Sequence, residues 1–127
     1  MKVIIIGGGQ VGGYIANLLI ENGNDALVIE YKEKALQSLK KNGLKKENIV
    51  IGDGTDALLL EKAGVRRCSA FVCVTGNDET NLAAAMMAKF EYDVPKVIAT
   101  VNMAVQRGNG GGCENQSGRP HWSHDCR

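Results

Sequence analysis

Short aliphatic segments alternate with amphipathic segments along residues 1–106, and this alternation constrains the fold more than any other feature of the sequence. The five aliphatic runs are rich in valine and isoleucine and lack polar alternation, as is typical of strands that are covered on both faces. Four segments with helical periodicity separate them. Strict alternation of strands and helices favours a parallel sheet with right-handed crossovers. The sequence therefore predicts an α/β fold with a doubly wound parallel sheet of five strands and four intervening helices.

The aliphatic runs and the capping residues define where each element begins and ends. The predicted strands are residues 2–6, 26–30, 48–51, 69–74 and 96–101. The predicted helices are residues 10–22, 32–42, 55–63 and 78–91. On the first helix, the apolar side chains expected to face the sheet are Val11, Ile15, Leu18 and Leu19. On the fourth helix, the side chains expected to face the sheet are Leu82, Ala83, Met86, Met87 and Phe90.

The composition is that of an ordinary globular domain. Hydrophobic residues make up 44% of the 127-residue chain and aromatic residues only 5%, so the core must be aliphatic. Fifteen Lys and Arg residues oppose 14 Asp and Glu residues, which argues against a nucleic-acid partner. No apolar run approaches the roughly 18 residues of a membrane-spanning helix, and no signal peptide precedes the first strand. We therefore expect a soluble, intracellular protein in which Cys68 and Cys73 remain reduced and buried.

The segment 107–127 differs sharply in composition from the rest of the chain. It contains no Val, Ile, Leu or Met, so it cannot bury enough apolar surface to offset its ordering entropy. We predict one domain at residues 1–106 and a flexible tail at 107–127, whose abrupt start suggests a non-native end. A zinc site is the alternative for this segment, but the spacing of its candidate ligands matches none of the usual zinc patterns, and we expect no metal site. Those candidate ligands are Cys113, His121, His124 and Cys126.

A glycine-rich loop follows the first predicted strand and opens the first predicted helix. Gly7, Gly9 and Gly12 match the pattern G-x-G-x-x-G. In this pattern the first glycine permits a tight turn, the second lets a pyrophosphate approach the backbone, and the third lets the helix pack closely on the sheet. The N–H groups and the dipole at the start of the helix would stabilise phosphate charge. A simple turn is the alternative, but the strand before and the helix after favour a Rossmann-like phosphate loop.

An acidic residue ends the second predicted strand. Glu30 lies 23 residues beyond Gly7, where a carboxylate accepts hydrogen bonds from both ribose hydroxyls of an adenosine. The same carboxylate would repel a 2′-phosphate, so NAD(H) or an adenine nucleotide is favoured over NADP(H). Lys32 nearby weakens this preference without reversing it, and Tyr31 is placed to flank an adenine ring. A solvated strand end is the alternative interpretation of Glu30.

Two further strand ends carry candidate ligand-binding residues, because ligands of doubly wound sheets bind beyond the carboxyl ends of the strands. Asp53 follows the third strand on the expected adenine side, and Thr55 either caps the next helix or contacts the ligand. For both residues, a purely structural role in the turn is equally open. Thr75 and Gly76 follow the fourth strand, across the switch point from the glycine loop. Asn77 is predicted to cap the fourth helix.

Four sequence motifs together resemble one family, the nucleotide-binding regulatory domains of potassium channels and transporters, known as RCK, KTN or TrkA N-terminal domains. The resemblance covers residues 1 to about 103 and rests on the strand and glycine loop at 1–12, on Val-Ile-Glu ending at Glu30, on Gly-Asp-Gly-Thr-Asp at 52–56 and on Val-Thr-Gly-Asn-Asp-Glu-Thr-Asn at 74–81. The last motif is more specific than the glycine loop. Family members continue into a further helix, a sixth strand and a crossover helix that build a dimer, where this chain has its glycine-rich tail.

The resemblance implies a cytoplasmic regulatory subunit that senses NAD(H), or alternatively ADP or ATP, and gates potassium flux. It implies a membrane potassium transporter or channel as partner at the inner face of the membrane, and assembly as a homo-oligomer, a dimer or a larger ring. The implied phosphate-binding residues are Gly7, Gly8, Gly9, Gln10 and Val11. The remaining implied contacts are Glu30 to the ribose, Asp53 and Thr55 near adenine, and Thr75 and Gly76 completing the pocket.

Two departures from the family bear on the choice of nucleotide. Members often carry an arginine at the position of Thr100, and some carry one at Gln10. Both arginines would grip phosphates, so their absence favours NAD(H) or ADP over a triphosphate. The alternative function is the cofactor domain of an NAD-dependent oxidoreductase, but the sequence offers no set of acid, base and substrate-binding residues for hydride transfer. We therefore expect a protein that is not an enzyme.

Overall fold

A parallel sheet of five strands is the centre of the fold, which the computed structural model describes for residues 1–101. The predicted tail at 107–127 and its candidate zinc ligands lie outside the described residues. The sheet order is β3-β2-β1-β4-β5, and every neighbouring pair is parallel. The chain thus winds outward in both directions from the centre, which confirms the predicted doubly wound sheet and places the switch point between β1 and β4. The strands are β1 (Lys2–Ile6), β2 (Asp25–Glu30), β3 (Ile49–Ile51), β4 (Ala70–Cys73) and β5 (Lys96–Ala99).

Four α-helices cover the two faces of the sheet. They are α1 (Gln10–Glu21), α2 (Glu33–Lys41), α3 (Ala57–Ala63) and α4 (Asp78–Met86). Alternate residues of β1 feed two apolar clusters, because successive side chains of a strand point to opposite faces. Val3 and Ile5 pack in the cluster that contains residues of α1 and α2, whereas Ile4 and Ile6 pack in the cluster that contains residues of α3 and α4. Within residues 1–101, no helix has the length and apolar character needed to cross a bilayer.

All nine predicted elements are present, and their ends differ from prediction where a local turn intervenes. The third strand begins after a 3₁₀ turn at Lys46–Asn48, and the predicted fourth helix ends in a π-helical turn at Met87–Glu91. The third helix was expected to begin at Thr55. It begins later because the carboxylate of Asp56 accepts a hydrogen bond from the N–H of Leu58 (3.1 Å) and caps the first turn.

The buried face of α1 differs from the one that the sequence predicts. Ile15 and Leu19 are partly buried against the core, as expected, but Val11 is 58% exposed and Leu18 is 41% exposed. Small residues occupy the positions closest to the sheet, because α1 packs near the strands directly after the glycine loop. The buried positions of α1 are Gly12, Gly13 and Ala16.

On α4 the prediction of the inward face is wrong for most of its members. Ala83 is exposed, and the large apolar side chains Leu82, Met86 and Phe90 have 39%, 57% and 73% of their surface exposed. Met87 alone of the predicted set packs against the core, as a partly buried residue. The physical reason is again close approach: a helix that lies near the strands turns its small side chains toward them. The buried residues of this segment are Asn81, Ala84 and Ala88.

The two phenylalanines offer a direct test of this helix orientation. Phe71 is fully buried on β4, so Phe71→Ala should lower the free energy of unfolding by about 3–5 kcal/mol. Phe90 is mostly exposed, so Phe90→Ala should change it by about 0.5 kcal/mol or less. Urea unfolding followed by circular dichroism measures both values. A loss for Phe90→Ala comparable to that for Phe71→Ala would contradict the orientation of α4.

Candidate functional site

A cleft of about 250 Å³ opens at the carboxyl edge of the sheet, beside the switch point between β1 and β4. The loops that follow β1, β2 and β4 form its walls. The cleft brings together half of the residues that the sequence singled out as binding residues, from three separate parts of the chain. These residues are Gly7, Gly9, Glu30, Thr75 and Gly76.

The glycine loop fits its surroundings only because two of its residues lack a side chain. Gly7 has a φ of +112°, and a Cβ atom there would lie 2.9 Å from backbone atoms of Val74 and Thr75. A Cβ atom on Gly12 would overlap the carbonyl oxygen of Gly7. Gly7 therefore allows the loop to touch the end of β4, and Gly12 allows α1 to start directly against the loop.

The amino terminus of α1 is open toward solvent at the cleft. Gly9 is the N-cap residue, no side chain caps the helix there, and the first turn contains no acidic residue. A Cβ atom on Gly9 would have no heavy atom within 4 Å. The first N–H groups of a helix have no acceptor within the helix, and they carry the positive end of its dipole. This end of α1 is therefore suited to accept an anionic group from the cleft.

The carboxylate of Glu30 closes the cleft on the side of β2. Its Oε1 accepts a hydrogen bond from the N–H of Gly8 (2.6 Å), and its Oε2 accepts hydrogen bonds from the N–H groups of Tyr31 and Lys32 (both 3.0 Å). The residue is only 8% exposed. A carboxylate has about four acceptor positions, so one position on Oε1 remains for a ligand hydroxyl. Glu30 thus ties the glycine loop to β2 and also faces the cleft.

The loop after β4 is held by a buried side chain of α4. The Oδ1 atom of Asn81 accepts hydrogen bonds from the N–H (2.9 Å) and the hydroxyl (2.7 Å) of Thr75. The predicted helix cap is confirmed, since the side chain of Asn77 accepts a hydrogen bond from the N–H of Thr80 at 2.9 Å. Gly76 is exposed at the rim, with no atom within 4 Å of a Cβ position. Asn81 therefore positions the part of this loop that lines the cleft, residues 74–77, which we call the Thr75 wall. Gly76 within it stays free to approach a ligand.

The other predicted binding residues lie beside the cleft or outside its lining. Gly8 is buried beneath the loop against Glu30, whereas Gln10 and Val11 are exposed in the first turn of α1. Asp53 and Thr55 bond to each other: the Asp53 carboxylate accepts from the N–H (2.8 Å) and the hydroxyl (2.7 Å) of Thr55. This local turn explains both residues structurally, and their contact with an adenine stays a prediction.

Sequence reasoning missed four residues that bear on the cleft. Ala35, Val74 and Thr80 belong to its lining, and Asn81 holds its Thr75 wall. Ala35, Val74 and Thr80 carry no chemical signal that marks them as binding residues. Asn81 has one: it is a polar residue on a helix face that otherwise buries alanines.

The cysteines among residues 1–101 do not offer a reactive thiolate. Cys68 and Cys73 are both free and buried, as predicted. Burial raises the pKa of the Cys73 thiol to about 12, and burial also raises the pKa of Cys68. Both thiols are therefore protonated at neutral pH. Residues 1–101 contain no group of three His, Cys, Asp or Glu side chains that could hold a metal ion.

A second and larger cavity, of about 580 Å³, lies at the opposite edge of the sheet. Asn17 and Ile20 of α1 and Gly43 after α2 contribute to its lining, so it lies near the C-terminal parts of these helices. Its charged lining residues are Lys2 and Lys45 against Asp25 and Glu47, and neither a glycine loop nor the start of an α-helix contributes to it. The smaller cleft, with a helix amino terminus and a glycine loop, is therefore the candidate functional site.

The fold and the cleft together define a class: a Rossmann-like protein whose glycine loop and acidic strand end meet at the switch point of a doubly wound sheet. Within that class, the chain belongs to the TrkA-N domain family, whose model matches residues 3–108. It is 41% identical over 104 residues to a "Trk system potassium uptake protein TrkA homolog" of Methanothermobacter thermautotrophicus. The match covers 80% of this chain and 46% of that relative, so the chain spans about half the length of the relative.

Solved structures share the fold at lower sequence identity. The GsuK RCK domain superposes with a TM-score of 0.66 at 22% identity, covering 84% of this chain and 22% of that chain. A structure of the Shewanella denitrificans Kef CTD in AMP-bound form superposes with a TM-score of 0.63 at 21% identity, covering 77% of this chain and 57% of that chain. These likenesses confirm the predicted Rossmann-like architecture.

The hydrogen bonds of Glu30 lead to a prediction about stability. Glu30→Gln replaces one acceptor oxygen by an NH₂ group that must face at least one backbone N–H donor. We expect the free energy of unfolding to fall by about 1–3 kcal/mol, since a nearly buried donor loses its acceptor. Urea unfolding measures the change, with the exposed Glu47→Gln as the matched control. Equal unfolding midpoints for the two variants would show that Glu30 does not hold the glycine loop.

Proposed function

We propose that the chain is a nucleotide-sensing regulatory module that binds NAD(H) or an adenine nucleotide and controls potassium flux through a membrane transporter or channel. The observation that carries the proposal is the cleft at the switch point. There the uncapped amino terminus of α1 faces the same space as the carboxylate of Glu30 and the Thr75 wall. One nucleotide can use both features, with its phosphate bound at the amino terminus of α1 and its ribose bound at the carboxylate of Glu30.

The charges around the cleft support NAD(H) as the first choice of ligand. The remaining acceptor position on Glu30 suits a ribose hydroxyl, which can donate a hydrogen bond to it. A 2′-phosphate at the same place would be repelled by the carboxylate and would find no donor there. Lys32 contributes to the lining but has Glu30 as its neighbour. An arginine at the position of Thr100 or Gln10 would bind additional phosphates. Because this chain has neither arginine, we expect it to bind ADP more tightly than ATP. A related fold has been solved in an AMP-bound form, which supports an adenine nucleotide as the class of ligand.

The cleft is suited to sensing because its walls belong to separate loops. The glycine loop and the Thr75 wall border the cleft on two sides, and a ligand in it would contact both. The glycine loop leads into α1, and the Thr75 wall leads into α4. A nucleotide shifts a conformational equilibrium only if it binds one state more tightly than the other. Nucleotides that differ in charge or length set the spacing of the two walls differently. We propose that this spacing is the signal.

A pair of substitutions at Gly9 tests nucleotide binding without damaging the fold. Gly9 has an extended backbone and open space at its Cβ position, and both Asp and Asn are favourable N-cap residues. Gly9→Asp places a negative charge where the phosphate binds, whereas Gly9→Asn has the same shape without the charge. Isothermal titration with NADH, NAD, ADP, ATP and AMP should show affinity that falls by roughly tenfold or more from the wild type to Gly9→Asp, with Gly9→Asn between them. Either side chain takes space that the glycine leaves to the phosphate, and only Asp adds a negative charge.

The melting temperatures of the two variants provide the control for folding, since both caps should preserve α1. Wild-type nucleotide affinity in Gly9→Asp would place the phosphate elsewhere. No heat of binding for the wild-type chain with any of the five nucleotides would refute the proposed ligand class.

The partner and the location are part of the same proposal. The curated relatives are potassium uptake proteins of the Trk system, which supports a membrane potassium transporter or channel as the partner. We propose that the chain acts in the cytoplasm at the inner face of the membrane, as a homo-oligomer that is a dimer or a larger ring. We also propose that it is a regulator and not an oxidoreductase, which its relatives among the potassium uptake proteins of the Trk system support.

Potassium uptake tests the regulatory half of the proposal. The full chain is produced in a bacterial strain that has lost its own Trk regulatory subunit, and initial rubidium uptake is measured as a tracer for potassium. Wild type and the control variant Glu47→Gln, at an exposed position outside the cleft, should change uptake by about twofold or more relative to the empty strain, and Gly9→Asp should not. Equal uptake with the wild type and Gly9→Asp would show that an intact phosphate loop has no role in regulation.

A further inference from the structure

We propose that Asn81 is a positioning residue that couples the Thr75 wall of the cleft to the end of β5 at Thr100. This proposal rests on the proposed function and extends it, because it names the contacts through which a ligand in the cleft affects the end of β5. It assigns this role to one side-chain amide on the buried face of α4.

The side chain of Asn81 is fully buried and uses both ends of its amide. Its exposure is 0%. Its Oδ1 accepts from the N–H and the hydroxyl of Thr75, and its Nδ2 donates to the carbonyl oxygens of Thr75 (3.1 Å) and Thr100 (2.9 Å). The Thr75 hydroxyl also lies 3.0 Å from the carbonyl oxygen of Asn77, whereas the Thr75 N–H is held by Asn81. A side-chain amide suits this place because its oxygen accepts hydrogen bonds and its NH₂ group donates them.

The two groups that Asn81 joins lie 25 positions apart in the sequence and have different roles. Thr75 lines the cleft, directly beside the glycine loop. Thr100 follows β5, and its own N–H donates to the carbonyl of Cys73 at 3.0 Å. A displacement of Thr75 by a ligand therefore acts on the same amide that holds Thr100. The chain leaves β5 at this point, so Asn81 is placed to pass a change in the cleft to the residues that follow.

A purely architectural asparagine would stabilise the fold without transmitting anything. The two roles differ in what a change at Thr75 does. If Asn81 couples the loop to the strand, a perturbation confined to Thr75 alters the environment of Thr100 only while the amide of Asn81 is intact. If Asn81 is merely architectural, Thr75 and Thr100 respond independently.

The first experiment requires no nucleotide. Amide hydrogen exchange is measured by NMR on the full chain for the wild type, Thr75→Val, Asn81→Asp and the double variant. Thr75→Val should speed exchange of the Thr100 amide by about threefold or more in the wild-type background, and should add nothing in the Asn81→Asp background. Asn81→Asp has nearly the same shape but cannot donate to the two carbonyls. Asn48→Ala is the matched control, because it removes an asparagine–carbonyl bond to Ala26 at the opposite edge of the sheet.

The second experiment uses the wild-type chain and a nucleotide, so it does not depend on a variant that folds. The side-chain NH₂ resonances of Asn81 and Asn48 are followed during titration with NADH and with ADP. The resonances of Asn81 and the amide of Thr100 should shift together with saturation of the cleft, while those of Asn48 should not.

The outcomes separate the two proposals. If the wild type binds no nucleotide, the proposed function fails, and the coupling is then judged by the exchange experiment alone. If nucleotide binds but Thr100 and the Asn81 side chain do not respond, the coupling is wrong and the proposed function stands. Independent effects of Thr75→Val and Asn81→Asp on Thr100 also overturn the coupling.

Discussion

The contact between the backbone of Gly7 and the end of β4 is the constraint on which the site depends. It brings the loops after the two central strands together at the switch point, with no side chain between them. Glu30 then fixes the loop from the side of β2 through the N–H of Gly8. The space that remains between these fixed groups is the cleft. Its shape in the structure is therefore set by the backbone of the glycine loop, the carboxylate of Glu30 and the loop that carries Thr75.

The sheet, its order and the position of the glycine loop could be predicted because they follow from local signals. The aliphatic runs mark the strands, and Gly7 to Gly12 fall between a strand and a helix as the phosphate-loop pattern requires. The cap at Asn77 also follows from sequence, since asparagine satisfies the N–H groups of a helix start. For Thr55 the sequence left a cap and a ligand contact open, and the residue that caps α3 in the structure is Asp56.

Part of the inward faces of α1 and α4 could not be predicted, because hydrophobic periodicity reflects the size of a side chain and not the distance between helix and sheet. On α4 the large side chains Leu82 and Met86 face outward, whereas Ala84 and Asn81 face the strands. The role of Asn81 depends on Thr75 and Thr100 meeting at the same place. Thr75 and Thr100 come together because β4 and β5 are neighbours in the sheet, and no short stretch of the sequence specifies this pairing. Half of the predicted binding residues do line the cleft. They could be predicted because each follows a strand, and the carboxyl ends of parallel strands lie at the same edge of the sheet.

The small residues between helix and sheet have a consequence for how this domain tolerates change during evolution. In most cores the damaging substitutions are those that remove volume. Here Gly12, Ala16, Ala84 and Ala88 fill the narrow space beneath two helices, and any added methyl group must push a helix away from the strands. The outward-facing bulky positions of the same helices are free to drift toward polar residues. Lineages of this domain should therefore hold their smallest side chains most constant and vary the largest ones along α1 and α4.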